Sequence, residues 1–301
     1  MSLDVSGVDG AGAGAETAAA PESEEEPRRL GRVRGTRTAE ASAGGAAAGG
    51  AGRTWRSIGL GAIVPVALLA AWQGAVSAGV YSPDQLPPPL AVAGAFTELI
   101  GRGDMWLHIA ISFQRVVLGF VWGSAIGLAA GGVVGLVAPV RSLLAPTVQA
   151  LRAVPSLAWV PLLVLWLGIG EGPKVVLIAI GAFFPVYTTV SSALTHMDRQ
   201  LVEVGRAYGL RGVGLFATVL LPAAAPSVVA GLRLALAQSW LFVVAAELIA
   251  SSMGLGFLLT NSQNTGRTDI LLLSIVLLAL CGKATDAVLG IAERRVAAAR
   301  A

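Results

Sequence analysis

The sequence lacks most of the residue sets on which metalloproteins and soluble enzymes depend. One cysteine, Cys281, and two histidines, His108 and His196, occur in 301 residues, which excludes an intrachain disulfide and predicts no metal site. The phosphate-binding loop of ATPases is also missing, because Leu277 stands where that loop requires a glycine, five residues before Gly282. We therefore expect no metal, no cofactor and no enzymatic activity, ATP hydrolysis included.

Charge is scarce, and apolar residues are abundant. Charged residues make up 13% of the chain and hydrophobic residues 55%, a composition that belongs in a bilayer. The net charge of +3 does not indicate nucleic-acid binding, because the basic residues form no stripe. Six apolar segments have the length of about 20 residues that a membrane-spanning helix needs, and they lie near 57–79, 109–137, 154–170, 174–194, 225–250 and 270–290. The predicted fold class is all-α, a polytopic membrane protein with six transmembrane helices.

The first fifty or so residues differ from the rest of the chain. They are rich in glycine, alanine and serine, with an acidic run at 22–26 followed by a basic run at 28–37, a composition typical of disorder. The predicted organisation is a disordered cytoplasmic tail (1–52), a first transmembrane helix with an outer loop (53–106), a transmembrane domain (107–295) and a cytoplasmic C-terminal end (296–301). Prolines at 83 and 87–89 predict that the outer loop is a surface element outside the core, with a short interfacial helix over 90–100.

The distribution of lysine and arginine predicts the orientation in the membrane. If the amino terminus is cytoplasmic, the outer side carries only Arg102, Lys174 and Arg267, whereas the inner side carries Arg53, Arg56, Arg141, Arg152, Arg199, Arg206, Arg211, Arg294, Arg295 and Arg300. Basic residues are enriched on the cytoplasmic side of membrane proteins. Both termini are therefore expected in the cytoplasm.

One charged, glycine-containing segment, residues 198–222, interrupts the apolar background. Its first part has the spacing of a short amphipathic helix, with Leu201, Val204 and Tyr208 on one face and Arg199, Glu203 and Arg206 on another. Gly209 is expected to end this helix, because glycine tolerates the left-handed conformation common at helix ends. Gly205 lies within the helix, where glycine costs about 0.5–1 kcal/mol relative to alanine.

The order Glu203-Val204-Gly205, three residues, Gly209, nine residues, then Val219 to Pro222 resembles the E-A-A, x3, G, x9, I-x-L-P signature of the permease subunits of bacterial ABC importers. The two alanines of the signature are Val204 and Gly205 here. In that family the segment is a cytoplasmic loop between transmembrane helices four and five, and its coupling helix docks into a groove of the ATPase subunit. The resemblance implies that ATPase coupling depends on Arg199, Glu203, Gly205, Arg206, Tyr208, Gly209, Leu221 and Pro222.

The resemblance extends over about 107–295 and is strongest for permeases of the sulfonate, taurine and nitrate group, especially aliphatic sulfonate permeases. Stretches similar to theirs include 165–169, 246–247 and 254–256. It implies a homodimer in the bacterial cell membrane, in contact with lipid, two cytoplasmic ATPase subunits and an extracellular solute-binding protein. Taurine, nitrate or a pyrimidine-type solute are alternative cargoes. An ion-gradient-driven secondary transporter and a non-transporting membrane scaffold are alternative functions.

Charged residues inside the apolar segments must be paired or face water. Arg233 and Glu247 are about 21 Å apart on one helix, so each is expected to form an ion pair with another helix. Lys283 and Asp286 are expected to form a local pair, and Arg115 is the candidate for contacting an anion near the outer interface. The predicted translocation path consists of polar, charged and aromatic residues in these segments: Arg115, Gln149, Ser156, Trp159, Thr188, Ser191, Gln238, Ser239, Trp240 and Glu247.

Glycine and proline predict how two parts of the bundle are built. A glycine recurs every fourth residue in the second segment, at 119, 123, 127, 131 and 135, and such a ridge lets helix backbones approach closely. It is expected to be a packing seam within the bundle or a dimer. Prolines between 139 and 185 predict that the third and fourth segments are kinked or broken.

Overall fold

The computed structural model describes the backbone of residues 50–298 and the side chains of residues 63–295 except Val213 and Ala250. The chain divides into two compact units, Met1–Ile58 and Gly59–Ala301, and the tertiary structure reported below belongs to the second. Most of the predicted disordered tail, residues 1–49, lies outside the described part of the chain. Within the predicted tail, residues 50–52 already belong to the first helix.

The described part of the chain is helical and contains no β-strand. Its helices are α1 Gly50–Ser77, α2 Pro89–Arg102, α3 Asp104–Leu136, α4 Ala138–Ala153, α5 Val160–Leu167, α6 Glu171–Thr195, α7 Arg199–Ala207, α8 Gly212–Leu215, α9 Leu221–Ala250, α10 Leu255–Asn264 and α11 Thr268–Ala298. A 3-10 turn, Ser156–Trp159, precedes α5, and a π-helical turn, Phe216–Leu220, leads into α9. The all-α prediction is confirmed.

Four helices within the described residues are long and apolar enough to cross a bilayer, and their spans are Asp104–Leu136, Glu171–Thr195, Phe216–Ile249 and Thr268–Arg295. A fifth span is possible if the bent pair Ala138–Ala153 and Ser156–Leu167 is counted as one. The described apolar part of α1, Ile63–Ser77, is shorter. The predicted count of six transmembrane helices is therefore not confirmed.

The predicted third segment, 154–170, is not a single membrane-spanning helix. The two halves of the bent pair meet at 88°, and Val154 between them is extended, with ψ 125°. Pro155 explains the break, because a residue that precedes proline avoids the α-helical conformation. The fourth segment, predicted to be kinked or broken, is not broken, since α6 continues through Pro185 from its first to its last residue. A kink at this proline stays a prediction.

The glycine ridge is confirmed as a seam between α3 and α6, which form the most extensive helix contact of the fold. A Cβ atom added to Gly123 would lie 2.2 Å from the carbonyl oxygen of Ala179, and one added to Gly131 would lie 2.9 Å from that of Tyr187. The contacting residues stay 56 positions apart along the seam, so the two helices run parallel and in register. Backbone meets backbone there, as small residues allow in membrane helices.

The loop after α1 is not outside the core, contrary to expectation. The short helix predicted at 90–100 is present as α2, but its apolar face is buried with α10 and α11 in a cluster of Val92, Ala95, Leu99, Met105, Leu255, Leu258, Ile270, Leu273 and Leu277. Residues of α2 at i, i+3 and i+7 make one apolar stripe, and this stripe attaches the helix to the bundle.

Candidate functional site

The segment that carries the signature folds as the sequence predicts. Asp198 caps α7, its carboxylate accepting a hydrogen bond from the backbone N–H two residues later at 2.9 Å. Gly209 has φ +80° and donates to the carbonyl of Arg206, while the N–H of Leu210 donates to the carbonyl of Gly205 at 3.1 Å. These bonds satisfy carbonyls that the helix end would leave unpaired.

Gly205 is the buried residue of α7, and it has no room for a side chain. An added Cβ would lie 2.5 Å from Leu215 Cδ1 and 3.2 Å from Val219 Cγ2. The glycine that departs from the signature therefore lets α7 pack closely on the residues leading into α9. This contact, which the sequence did not reveal, offsets the low helix propensity of glycine.

Apart from Gly205 and the half-buried Val202, the residues of α7 are exposed. Leu201, Val204 and Tyr208 are exposed, Tyr208 to 84%, and the charged Arg199, Glu203 and Arg206 are exposed as well. A shallow concavity of about 700 Å³ lies beside this face, between Val204, Tyr208, Pro222 and their neighbours. Leu221 and Pro222 begin α9, where proline fits because the first turn needs no N–H donor. An apolar patch with a charged rim is typical of a protein-binding surface.

A second candidate site lies near the N-terminal ends of α3 and α6. Arg115 of α3 is buried, with 4% of its side chain exposed. Its Nη1 donates to Glu247 Oε1 and to the carbonyl oxygen of Met253, both at 2.7 Å. Its Nε and Nη2 donate to the two carboxylate oxygens of Glu171, both at 2.6 Å. Arg115 therefore connects α3 with α6, with α9 and with the loop after α9.

Glu247 has the matching interactions on the carboxylate side. Both of its oxygens accept from Ser112 Oγ, at 2.8 and 2.9 Å, and Oε2 also accepts from the backbone N–H of Gly256 at 2.7 Å. Gly254, with φ +117°, lies so close that an added Cβ would be 2.4 Å from the carboxylate of Glu247. A buried carboxylate needs such donors. The interpretation of Glu247 as an interhelical ion pair agrees with these contacts.

Arg233 also pairs between helices, as predicted. It donates to Asp286 through Nε at 3.0 Å and Nη2 at 2.8 Å, and to Glu293 through Nη1 at 2.5 Å, so that α9 is tied to α11. Lys283 lies 3.9 Å from Asp286. The expected local pair of Lys283 and Asp286 is thus secondary to the bidentate contact with Arg233, because the guanidinium matches the carboxylate in shape.

The residues predicted to line a path are only partly brought together. Arg115 and Glu247 form one ion pair. Trp240, by contrast, is buried, and its Nε1 donates to Thr285 Oγ1 at 2.9 Å, so it packs between α9 and α11. Hydroxyls of Thr188, Ser191 and Ser239 donate to carbonyls of their own helices. Gln149 is exposed, whereas Ser156 and Gln238 are half-buried.

Trp159 lies elsewhere, at an apolar cavity of about 620 Å³ beside α3 and α6. The cavity is lined with aromatic side chains that include Trp122, Phe183 and Phe184, and it reaches Gly172 in the first turn of α6. None of the described residues that line it is charged. A groove of this kind suits an apolar group.

A third set of ion pairs lies outside the apolar spans. Glu98 of α2 accepts from Arg267 Nη2 at 2.7 Å and pairs with Arg102. The hydrogen bond from Arg267 lowers the pKa of Glu98. Hydrogen bonds to Asp269 and Glu98 raise the pKa of Arg267.

In the described part of the chain, no group of three or more His, Cys, Asp or Glu side chains could hold a metal ion.

Residues 106–298 match the family described as the binding-protein-dependent transport system inner membrane component. The chain belongs to this family. The permease is 42% identical over 77% of its length to the "Putative aliphatic sulfonates transport permease protein SsuC" of Escherichia coli (strain K12), of which the match covers 88%. It is 37% identical to the SsuC protein of Bacillus subtilis (strain 168), over 78% of its own length and 86% of that protein.

The similarities to sulfonate, taurine and nitrate permeases place the permease in that group of ABC importers. It is 32% identical to the taurine transport system permease protein TauC of Escherichia coli (strain K12), over 76% of its own length and 85% of that protein. Among solved structures, a chain of the inward-facing MetNI methionine ABC transporter superimposes with a TM-score of 0.53 at 23% identity. That match covers 64% of the permease and 97% of the MetNI chain, and it supports the fold.

Proposed function

We propose that this protein is the permease subunit of an ATP-driven importer for aliphatic sulfonates. The observation that carries the cargo class is the identity of 42% and 37% to two proteins named for aliphatic sulfonate transport. The identity to the taurine and nitrate permeases is lower, 32% and 31%. Taurine, nitrate and pyrimidine-type solutes remain the alternative cargoes.

The partners follow from the family, whose description names a binding-protein-dependent system. We infer that two copies of the permease assemble with two cytoplasmic ATPase subunits and an extracytoplasmic solute-binding protein. ATP hydrolysis then takes place in the ATPase subunits. The exposed apolar and charged face of α7 supports an ATPase contact at this helix, because the described residues of the permease leave this surface uncovered.

We infer that both termini and α7 lie in the cytoplasm, as the distribution of arginine indicates. Cysteine labelling in intact cells tests this orientation. A cysteine in place of Gly214, next to α7, should react only after the cell is opened, whereas one in place of Asp84, before α2, should react from outside. Labelling of the position 214 variant by a membrane-impermeant reagent in intact cells would contradict the orientation.

In the proposed mechanism, closure of the ATPase subunits moves α7 and switches the bundle between inward-open and outward-open states. Such a switch requires a two-state element whose balance the partner shifts. α7 is suited to this role, since Gly205 packs directly on the residues leading into α9 while α6 ends three residues before its N-cap. A movement of α7 would therefore act on two spans.

The decisive experiment is growth and uptake in a strain without this gene. The strain should lose growth on an alkanesulfonate as sole sulfur source and keep growth on sulfate, and uptake of the labelled alkanesulfonate should return with the gene. Parallel cultures on taurine separate the sulfonate from the taurine hypothesis. Normal growth on several alkanesulfonates, with no second sulfonate permease present, would reject the cargo. Uptake driven by an ion gradient without the ATPase would instead indicate a secondary transporter.

A further inference from the structure

We infer that Arg115 and Lys174 form an anion subsite, filled in this conformation by the carboxylate of Glu171, where the head group of an amphiphilic sulfonate replaces that carboxylate during transport. The inference rests on the proposed function and deepens it. It adds a residue, Lys174, and a competitor, Glu171, that the sequence did not nominate. It also narrows the cargo to sulfonates with an apolar tail.

The geometry shows two cations converging on one carboxylate. Glu171 Oε1 accepts from Arg115 Nη2 at 2.6 Å and from Lys174 Nζ at 2.9 Å, while Oε2 accepts from Arg115 Nε at 2.6 Å. The carboxylate is therefore held as a bidentate anion would be held by a guanidinium, with an ammonium beside it. The site lies at the end of the bundle that the predicted orientation places outside.

Burial is distributed unequally among the three groups. The side chains of Arg115 and Lys174 are 4% and 6% exposed, whereas that of Glu171 is 62% exposed. Because the Glu171 side chain is largely exposed, its carboxylate is hydrated when it turns away, and the cost of its departure falls on the buried Arg115 and Lys174. The buried cations cannot follow it. Glu171 is consequently the exchangeable member of the group.

When the Glu171 carboxylate moves away, the site has an excess positive charge that another anion can neutralise. Glu247 stays in place, since its oxygens accept from Ser112 and from the backbone of Gly256, and it neutralises one of the two cations. Once Glu171 has moved away, the second positive charge is buried without a partner, which is costly. A sulfonate carries one negative charge over three oxygens, so two oxygens can face Arg115 and the third Lys174.

The neighbouring cavity can hold the apolar tail of the solute. Gly172 and Val175, which follow Glu171 and Lys174 in the sequence, both line the apolar cavity of about 620 Å³. On the facing helix, Trp122 lines it seven residues after Arg115, two turns along one helix face. An anionic head at the subsite would thus extend an alkyl tail along Trp122 and the aromatic wall. The ammonium group of taurine would meet no carboxylate there among the described residues that line the cavity.

The test measures direct binding of sodium 1-hexanesulfonate to the full-length permease in lipid nanodiscs, by calorimetry and with empty nanodiscs as background. Glu171→Gln removes the competing charge from an exposed side chain, so it should bind hexanesulfonate at least tenfold more tightly than the wild type. Glu98→Gln is the matched control, because Glu98 is also a carboxylate between two cations, Arg267 and Arg102. It should leave binding unchanged.

Lys174 supplies the second arm. Lys174→Met in the Glu171→Gln background should abolish the gain, and Lys174→Arg should preserve it, with all variants first compared by size-exclusion chromatography. Taurine should bind Glu171→Gln at least tenfold more weakly than hexanesulfonate does. Unchanged or weaker hexanesulfonate binding by Glu171→Gln, or an equal gain in Glu98→Gln, would overturn the subsite. Growth of the deletion strain on alkanesulfonates is read separately, so failure of the proposed cargo is distinguishable from failure of the subsite.

Discussion

Two arginines of the bundle, Arg115 and Arg233, each lie between two carboxylates from other elements, yet their surroundings differ. Arg115 is 4% exposed and pairs with a carboxylate, Glu247, that is 0% exposed. Arg233 is 36% exposed, and so is its partner Asp286. Removing one partner of a buried pair leaves an unpaired buried charge, whereas water and salt replace much of an exposed pair. The same chemistry should therefore matter greatly at the first arginine and little at the second.

The largest effect is expected for Glu247→Met, which removes the buried carboxylate that accepts from Arg115, from Ser112 and from the N–H of Gly256. Breaking a buried ion pair costs about 3–5 kcal/mol. We expect a strongly lowered melting temperature in detergent and reduced abundance in the membrane, measured by fluorescence-detected chromatography. A stability equal to that of wild type would show that water reaches this network.

The glycine seam beside Arg115 allows a second test of how strongly burial affects the cost of a substitution. In Gly123→Val the side chain would collide with the backbone of Ala179, and overpacking of this kind costs about 1–3 kcal/mol. Gly132→Val on the same helix is the matched control, because an added Cβ there meets nothing within 4 Å. Thermal unfolding should separate the two variants, and equal melting temperatures would contradict the seam.

Variants of α7 should lower transport without lowering stability, since this helix is exposed. Glu203→Lys should abolish sulfonate uptake at normal abundance, by reversing a charge on the surface proposed to meet the ATPase. Gly209→Val should act similarly, because a β-branched residue is poorly tolerated at positive φ. Gly214→Ala serves as control. Full uptake by both variants would remove α7 from the coupling mechanism.

The smallest effect is expected at Arg233. Arg233→Gln should leave the melting temperature close to that of wild type and change it less in high salt than in low salt, because exposed charges are screened. A loss comparable to that of Glu247→Met would mean that the α9–α11 contact is buried by something outside this chain, such as a second copy.

Local sequence patterns correctly predicted the features that depend on residues close together in the sequence. The fourth-residue spacing of glycine identified the seam, and the stop at Gly209 was expected from the residue type alone. The prolines correctly predicted that the third segment is broken, whereas its predicted bounds were wrong, because hydropathy does not register the turn that Pro155 imposes. α2 was placed outside the core because prolines before it suggested a loop, whereas its apolar stripe decides its position.

The candidate site was harder to predict from the sequence than these local features, because it is formed by tertiary contacts. Arg115 and Glu247 were nominated because charge within apolar segments is unusual, but nothing in the sequence connects them across more than a hundred residues. Glu171 and Glu293 were missed because each lies at the edge of an apolar segment, where a carboxylate seems ordinary. The one sequence signal for Glu171 is its position four residues before Val175, which matches the four-residue spacing of the glycines in α3.

The regular offset between α3 and α6 has a mechanical consequence. Glycines of α3 touch carbonyl groups of α6 at successive turns, and they also contact the side chains of Ile178, Val186, Val190 and Leu194, so little space is left between the helices for a small sliding movement. A shift of less than one turn would bring Cα atoms against carbonyl oxygens at every step simultaneously. The two helices should therefore move together as one rigid unit, so that a displacement at the end near α7 is transmitted in full to the end that carries Arg115 and Glu171.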